Sequence, residues 1–158
     1  MKTYDLVQLN KCFDGDNFEK FVIENIFHFN DYDVLEKSHS ELSTNYFVHS
    51  NLNPDFKLRC KETGVIFWIE CKYVQSYVLD ENREIPIKNE QLIRYKNIKE
   101  NVYYIYGTGI YSQTITRLFL IPLKKMFQNK IFESHLLKHE IEIEQIKNFN
   151  ELLALTKT

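Results

Sequence analysis

The run from Asn53 to Tyr73, NPDFKLRCKETGVIFWIECKY, restricts the fold more than any other segment. Between Asp55 and Cys60, the residues Phe56, Leu58 and Cys60 alternate with Asp55, Lys57 and Arg59, the period of two of a half-buried strand. Lys61 to Gly64 supplies a turn. Val65 to Lys72 is apolar on both faces for most of its length, as a central strand covered on both sides must be. The two segments read as a β-hairpin with an anomalous ending. A strand that opens Val65-Ile66-Phe67-Trp68-Ile69 closes on Glu70-Cys71-Lys72, with charges where burial asks for apolar side chains.

Alternation places Glu70 and Lys72 on the face of Trp68, and pairing of the hairpin can bring Asp55 beside them. Two carboxylates a few ångströms apart raise one another's pKa unless a cation lies between them. An oxygen donor set without His or Cys side chains favours Mg²⁺, Mn²⁺ or Ca²⁺. A divalent metal site is therefore the economical account of the pair. A metal so placed polarises a phosphoryl oxygen and acidifies a bound water, while Lys72 orients that water or offsets developing negative charge. This is a toolkit for phosphodiester hydrolysis. The plainer account is a structural ion pair at a strand end near the rim of a sheet.

The flanking segments read as follows. Phe18, Phe21, Val22, Ile26 and Phe29 fall at helical spacing over Asp16 to Phe29, with Asp14, Gly15 and Asp16 as the cap signal. Asp31 to Glu36 suits a short strand, and Ser38 to Asn53 reads mostly as loop. After an irregular Tyr73 to Ile87, a second helix is expected over Asn89 to Glu100, then strands at Val102 to Tyr106 and Arg117 to Pro122. Glu140 to Ile146 alternates like a strand, and Glu151 to Leu155 looks helical. With no repeat or boundary, the 158 residues are expected to form a single α/β domain, 1–158.

In this order, Pro54-Asp55 followed by Glu70-Cys71-Lys72 resembles the PD-(D/E)XK nuclease superfamily. The stretch GDNFEKFV at the first helix is similar to the Gly-x-x-Phe-Glu opening of Mrr-type members and places Glu19 at their helix-borne acidic position. Gln91-Leu-Ile-Arg-Tyr95 looks like the Gln-x-x-x-Tyr motif of RecB-type members. The resemblance implies a restriction-endonuclease-like core, a central mixed β-sheet flanked by helices in αβββαβ order. That core would span about 15–123, with 124–158 as a C-terminal extension. It implies that Asp55, Glu70 and the Cys71 backbone carbonyl ligate Mg²⁺ or Mn²⁺, with Glu19 binding directly or through water. Lys72 would position the attacking water, and Gln91 and Tyr95, four apart on one helical face, would buttress the site or touch the phosphate. The implied activity is metal-dependent hydrolysis of nucleic acid, with DNA as the expected partner, by a homodimer or with a partner subunit that supplies specificity. A catalytically silent module binding nucleic acid or a partner protein is the rival reading.

Each candidate has a bland counterpart. A Glu in the first turn of a helix, like Glu19, is a favourable dipole partner without further role, and Glu24 competes with it one turn on. Gln91 and Tyr95 can be a half-buried helix face with Leu92 and Ile98. His135 and His139 have the spacing of a metal pair but no Glu between them, and read as a solvated face. Tyr103, Tyr104 and Tyr106 read as strand core rather than base-stacking residues.

Composition sets the outer limits. Four Gly and three Pro leave little for coil, and 44% hydrophobic residues suffice for a core. No apolar run approaches the roughly 20 residues of a membrane span, and no basic-then-apolar leader opens the chain. Three cysteines without a CxxC pair fit a reducing compartment, so a cytoplasmic protein with no membrane partner is expected. The net charge of −2 excludes a global basic footprint for nucleic acid. A local basic rim of Lys57, Arg59, Lys88, Arg94, Lys96 and Lys99 is the alternative, and a solvated helix surface explains the last four equally well.

Overall fold

Side chains that alternate in direction along the central strands, together with one apolar stripe on each helix, divide the core between the two faces of a sheet. A computed structural model of the chain describes residues 4–5, 15–38, 52–75, 82, 84–85, 87–110, 114–126 and 133–142. Its strands are β1 (Tyr4–Asp5), β2 (Tyr32–Lys37), β3 (Phe56–Cys60), β4 (Ile66–Gln75), β5 (Asn101–Ile110), β6 (Thr114–Pro122) and β7 (Glu140–Ile141). The α-helices are α1 (Gly15–Phe21) and α2 (Asn89–Lys96).

Among the described residues the strands form one mixed sheet in the order β1-β6-β5-β4-β3-β2, with β7 also pairing β6. The β2, β3 and β4 strands form an antiparallel meander, while β4 and β5 are parallel. Parallel neighbours need a crossover, and α2 lies within it. The hairpin turn is closed by Cys60 N–H to Val65 O at 3.0 Å and Gly64 N–H to Cys60 O at 2.8 Å. Gly64 sits at φ 71°, a left-handed conformation that favours glycine.

On one face, Phe67, Ile69 and Cys71 of β4 join Phe56 and Leu58 of β3 and Phe18, Phe21 and Val22 from the first helix in a single apolar cluster. On the other, Trp68 joins Leu92 and Tyr95 of α2, Tyr104 and Tyr106 of β5, and Phe119 and Ile121 of β6. The α1 layer approaches β5 closely: a Cβ on Gly107 would lie 2.4 Å from Phe18 Cε2.

Several boundaries differ from expectation. The first helix is α-helical only to Phe21 and continues as a π-helical turn over Val22–Ile26, closed by Phe27 N–H to Val22 O at 3.0 Å. The β-branched Val22, Ile23 and Ile26 are weak helix formers, and Asn25 competes for the ladder by donating Nδ2 to Phe21 O at 3.0 Å. Phe29 consequently lies off the apolar stripe, 69% exposed. The second helix stops at Lys96, where Asn97 N–H and Ile98 N–H tighten the last turn onto Arg94 O and Tyr95 O, both at 3.1 Å. Instead of ending at Lys72, β4 continues to Gln75, because Tyr73, Val74 and Gln75 pair with Gly107, Thr108 and Gly109 of a longer β5. Likewise β6 begins at Thr114.

The expected loop at 39–51, the strand beyond residue 142 and the helix at 151–155 lie outside the described residues. Among the described residues no helix is long and apolar enough to cross a membrane.

Candidate functional site

Asp55 stands just before β3, and its position is set from β2. Ser38 N–H donates to Asp55 O at 2.9 Å, and the Ser38 hydroxyl donates to Pro54 O. The Asp55 carboxylate is thereby turned onto β4, where Oδ2 accepts the Cys71 N–H at 2.7 Å. In an extended strand the N–H and C=O of one residue face the same neighbour, so the Cys71 carbonyl opens towards Asp55 as well. The Cys71 side chain, one residue out of phase with Glu70 and Lys72, packs into the opposite apolar cluster.

Glu70 is 3% exposed and Asp55 5%, so both carboxylates are buried. A buried charge must be paired and hydrogen-bonded, and Glu70 is. Gln91 Nε2 donates to Oε1 at 2.6 Å, Tyr95 OH donates to Oε2 at 2.9 Å, and Lys72 Nζ lies 3.4 Å from Oε1. Gln91 Nε2 also donates to Tyr95 OH at 2.9 Å, which closes a ring of three side chains. The phenol is further fixed by its 3.3 Å approach to Asn53 O. Burial, and then the Glu70 charge, push the Tyr95 pKa far up, so the phenol acts as a neutral donor. Lys72 is one-third exposed and brings its ammonium to the rim of the site.

Glu19, on α1, lies within electrostatic reach of Glu70 and Lys72, and its carboxyl is raised to about 6, chiefly by burial. Lys37 opposes that rise, while Asp16 and Glu70 add to it. Among the described residues no three His, Cys, Asp or Glu side chains are gathered closely enough to hold a metal ion between them. Glu24 is exposed and pairs with Lys20 at 3.8 Å instead of facing the carboxylates.

The donors available at the pair are two buried carboxylates and a strand carbonyl, all oxygen. That set fits a hard divalent cation such as Mg²⁺ or Mn²⁺. Each carboxylate oxygen carries two lone pairs, so the bonds from Gln91 and Tyr95 leave Glu70 acceptor capacity. The Cys71 thiol does not compete as a soft ligand. Burial and the nearby Asp55, Glu19 and Glu70 charges push its pKa well up and keep it protonated.

Sequence reasoning passed over two groups here. Tyr104 is core, as expected, and 1% exposed, and it is also the register partner of Glu70 in β5. Its hydroxyl is buried without a hydrogen-bond partner among the described residues, and burial with the Glu70 and Asp55 charges raises its pKa. The parallel register would have identified it. Ser38 carried no local signal, since its partners Pro54 and Asp55 lie across a long connection.

The basic rim is smaller than expected. Lys57 Nζ is 3.4 Å from both Glu36 Oε1 and Glu100 Oε1 and lies 5.1 Å over the Trp68 ring, while Arg59 Nη2 pairs with Asp33 Oδ2 at 2.7 Å. These two cations are committed within the sheet. His135 and His139 fall in a 3₁₀ segment, Glu133–His139, whose three residues per turn do not stack positions four apart. No protein-family model matches the chain, and no curated protein matches it.

Proposed function

We propose that the chain is a divalent-metal-dependent nuclease of the PD-(D/E)XK type, built on a restriction-endonuclease-like core. The observation that carries this reading is the convergence on β4: the Asp55 carboxylate on the Cys71 N–H, Glu70 beside it, and the Lys72 ammonium 3.4 Å from Glu70. The sequence of helix, three antiparallel strands, helix and parallel strand from α1 to β5 supports the fold assignment.

Asp55, Glu70 and the Cys71 carbonyl would hold Mg²⁺ or Mn²⁺, with Glu19 reaching it through water. When bound, such an ion supplies Lewis acidity at a phosphoryl oxygen and lowers the pKa of a water molecule. Lys72 orients the attacking water or offsets charge on the phosphorane-like transition state. Gln91 and Tyr95 act on Glu70, fixing both of its oxygens so that the carboxylate does not reorganise during reaction. The substrate on this reading is DNA, and the free thiols of Cys60 and Cys71 accord with a cytoplasmic setting. A homodimer or a partner subunit would supply sequence specificity.

The test is incubation with supercoiled, linear duplex and single-stranded DNA in Mg²⁺ or Mn²⁺. Cleavage abolished by EDTA and by Lys72→Ala is the expected result. No cleavage, or cleavage that survives both treatments, overturns the reading. Calorimetric metal titration separates the enzyme from a silent binding module: heat lost in Asp55→Ala and Glu70→Ala belongs to the enzyme, and no heat in the wild type to the module.

A further inference from the structure

A second concavity shares Tyr95 with the carboxylate site. It is a cavity of about 310 Å³ between the end of α2, the start of β5 and the turn after β6, and Lys96, Lys99 and Lys124 line it with Tyr95, Ile98 and Leu123. Its volume is at the low end of the roughly 300–1,000 Å³ of small-molecule sites, enough for one phosphate-bearing unit but not for a duplex. Glu100 also lines it, but the Glu100 carboxylate is matched by Lys57 at 3.4 Å, so Lys99 and Lys124 set the local charge. This excess of positive charge occurs in a chain of net charge −2.

Lysines in the last turn of a helix are ordinarily explained by the helix dipole. That accounts for Lys96 alone. Lys99 lies beyond the end of α2 at Lys96, and Lys124 belongs to the 3₁₀ turn Leu123–Lys125 after β6. Neither forms an ion pair among the described residues. Tyr95 connects this cavity to the site, because it lines the cavity while its hydroxyl holds Glu70 Oε2 at 2.9 Å.

We propose that this cleft is a phosphate-binding subsite for a single-stranded segment of nucleic acid. It holds the backbone by the charges of Lys99 and Lys124. The proposal deepens the nuclease reading and rests on it for the identity of the polyanion.

Binding of a short fluorescent oligothymidylate is measured by anisotropy in EDTA, so that neither metal nor cleavage enters. The wild type should bind with a salt-dependent affinity. Lys99→Ala/Lys124→Ala should flatten the slope of log K against log salt by about 1.4, at about 0.7 per lost single-strand phosphate contact, and weaken binding about tenfold or more at moderate salt. Lys99→Arg/Lys124→Arg should retain both properties, which separates charge from misfolding. Lys20→Ala/Lys61→Ala, neither of which lines the cavity, should change neither. No wild-type binding, an unchanged slope in the double alanine variant, or an equal loss in the Lys20→Ala/Lys61→Ala control overturns the subsite. Cleavage in Mg²⁺ is scored separately. A wild type that binds but never cuts defeats the nuclease reading and leaves the subsite, whereas one that cuts while the two alanines leave the slope unaltered defeats the subsite alone.

Discussion

Glu70 and Tyr95 are joined by a 2.9 Å hydrogen bond across 25 residues of sequence, the α2 phenol donating to Oε2 of a carboxylate in the middle of the sheet. Glu70 is 3% exposed and Tyr95 2%, so neither group can exchange this partner for bulk water. The bond gives α2 two functions: it covers the Trp68 face of the sheet and it orients the carboxylate on which the proposed chemistry depends.

Tyr95→Phe deletes that donor and nothing of the ring packing. Hydrogen bonds to charged groups are worth about 1.5–3 kcal/mol, and urea unfolding should report a loss of that size. Gln91→Leu should lose a comparable amount. Because both donors serve one carboxylate, the double variant should differ from the sum of the singles by more than about 0.5 kcal/mol. Strict additivity would show that the ring is not energetically connected.

Lys72 should behave in the opposite way. Its ammonium is one-third exposed and Glu70 retains Gln91 and Tyr95 as donors, so Lys72→Ala should change stability by less than about 1 kcal/mol. On the nuclease reading, DNA cleavage should fall about 10²- to 10³-fold in the same variant. Parallel measurements of thermal unfolding and single-turnover cleavage distinguish the two effects. A large stability loss with unchanged turnover would return Lys72 to a structural ion pair.

Glycine at 107 is required by a helix, not by its own backbone angles. An added Cβ would meet Phe18 Cε2 at 2.4 Å, well inside any real contact. Overpacking of this kind costs about 1–3 kcal/mol, and Gly107→Ala should be destabilised accordingly and displace α1 together with Glu19. Phe18→Leu placed in the Gly107→Ala background should recover part of the loss by vacating the ring edge. A neutral Gly107→Ala would contradict this packing.

Glu19 makes stability depend on pH. Its carboxyl rises from 4.5 to about 6 on folding, mainly through burial, so the native state binds the proton more tightly than the unfolded chain. Stability from this group is complete below pH 4.5 and declines as pH rises through 6, the slope being negative wherever the native state holds more protons. Glu19→Gln, which stays neutral, should therefore gain on the wild type at pH 7 to 8 and lose that advantage below about pH 4.5. Urea midpoints of both proteins across this range give the comparison.

The hairpin and the phase of its charged side chains were legible in the sequence because both depend on local regularities. Alternation in Asp55 to Cys60 and the apolar run before Glu70 specify which face each side chain takes, and that phase separates Glu70 and Lys72 from the Cys71 thiol. The four-residue spacing of Gln91 and Tyr95 likewise specified that they share a helix face. Periodicity failed at boundaries decided by distant pairing. Tyr73 to Gln75 belong to β4 because Gly107 to Gly109 accept them in register, and the first helix leaves α geometry where Asn25 takes the Phe21 carbonyl.

What the sequence determined by itself is therefore the phase of each element: which residues are buried together, and which charges interrupt them. Tertiary structure decided the partners. It assigned Ser38 to hold the segment carrying Asp55, and Gln91 and Tyr95 to the two oxygens of Glu70. It also set Tyr104 opposite Glu70 and withdrew Lys57 and Arg59 into ion pairs with Glu36, Glu100 and Asp33. The physical reason is range. Side-chain phase is set within a few residues by backbone geometry, whereas a hydrogen bond is made or lost over tenths of an ångström between strands and helices that only the packed sheet brings together.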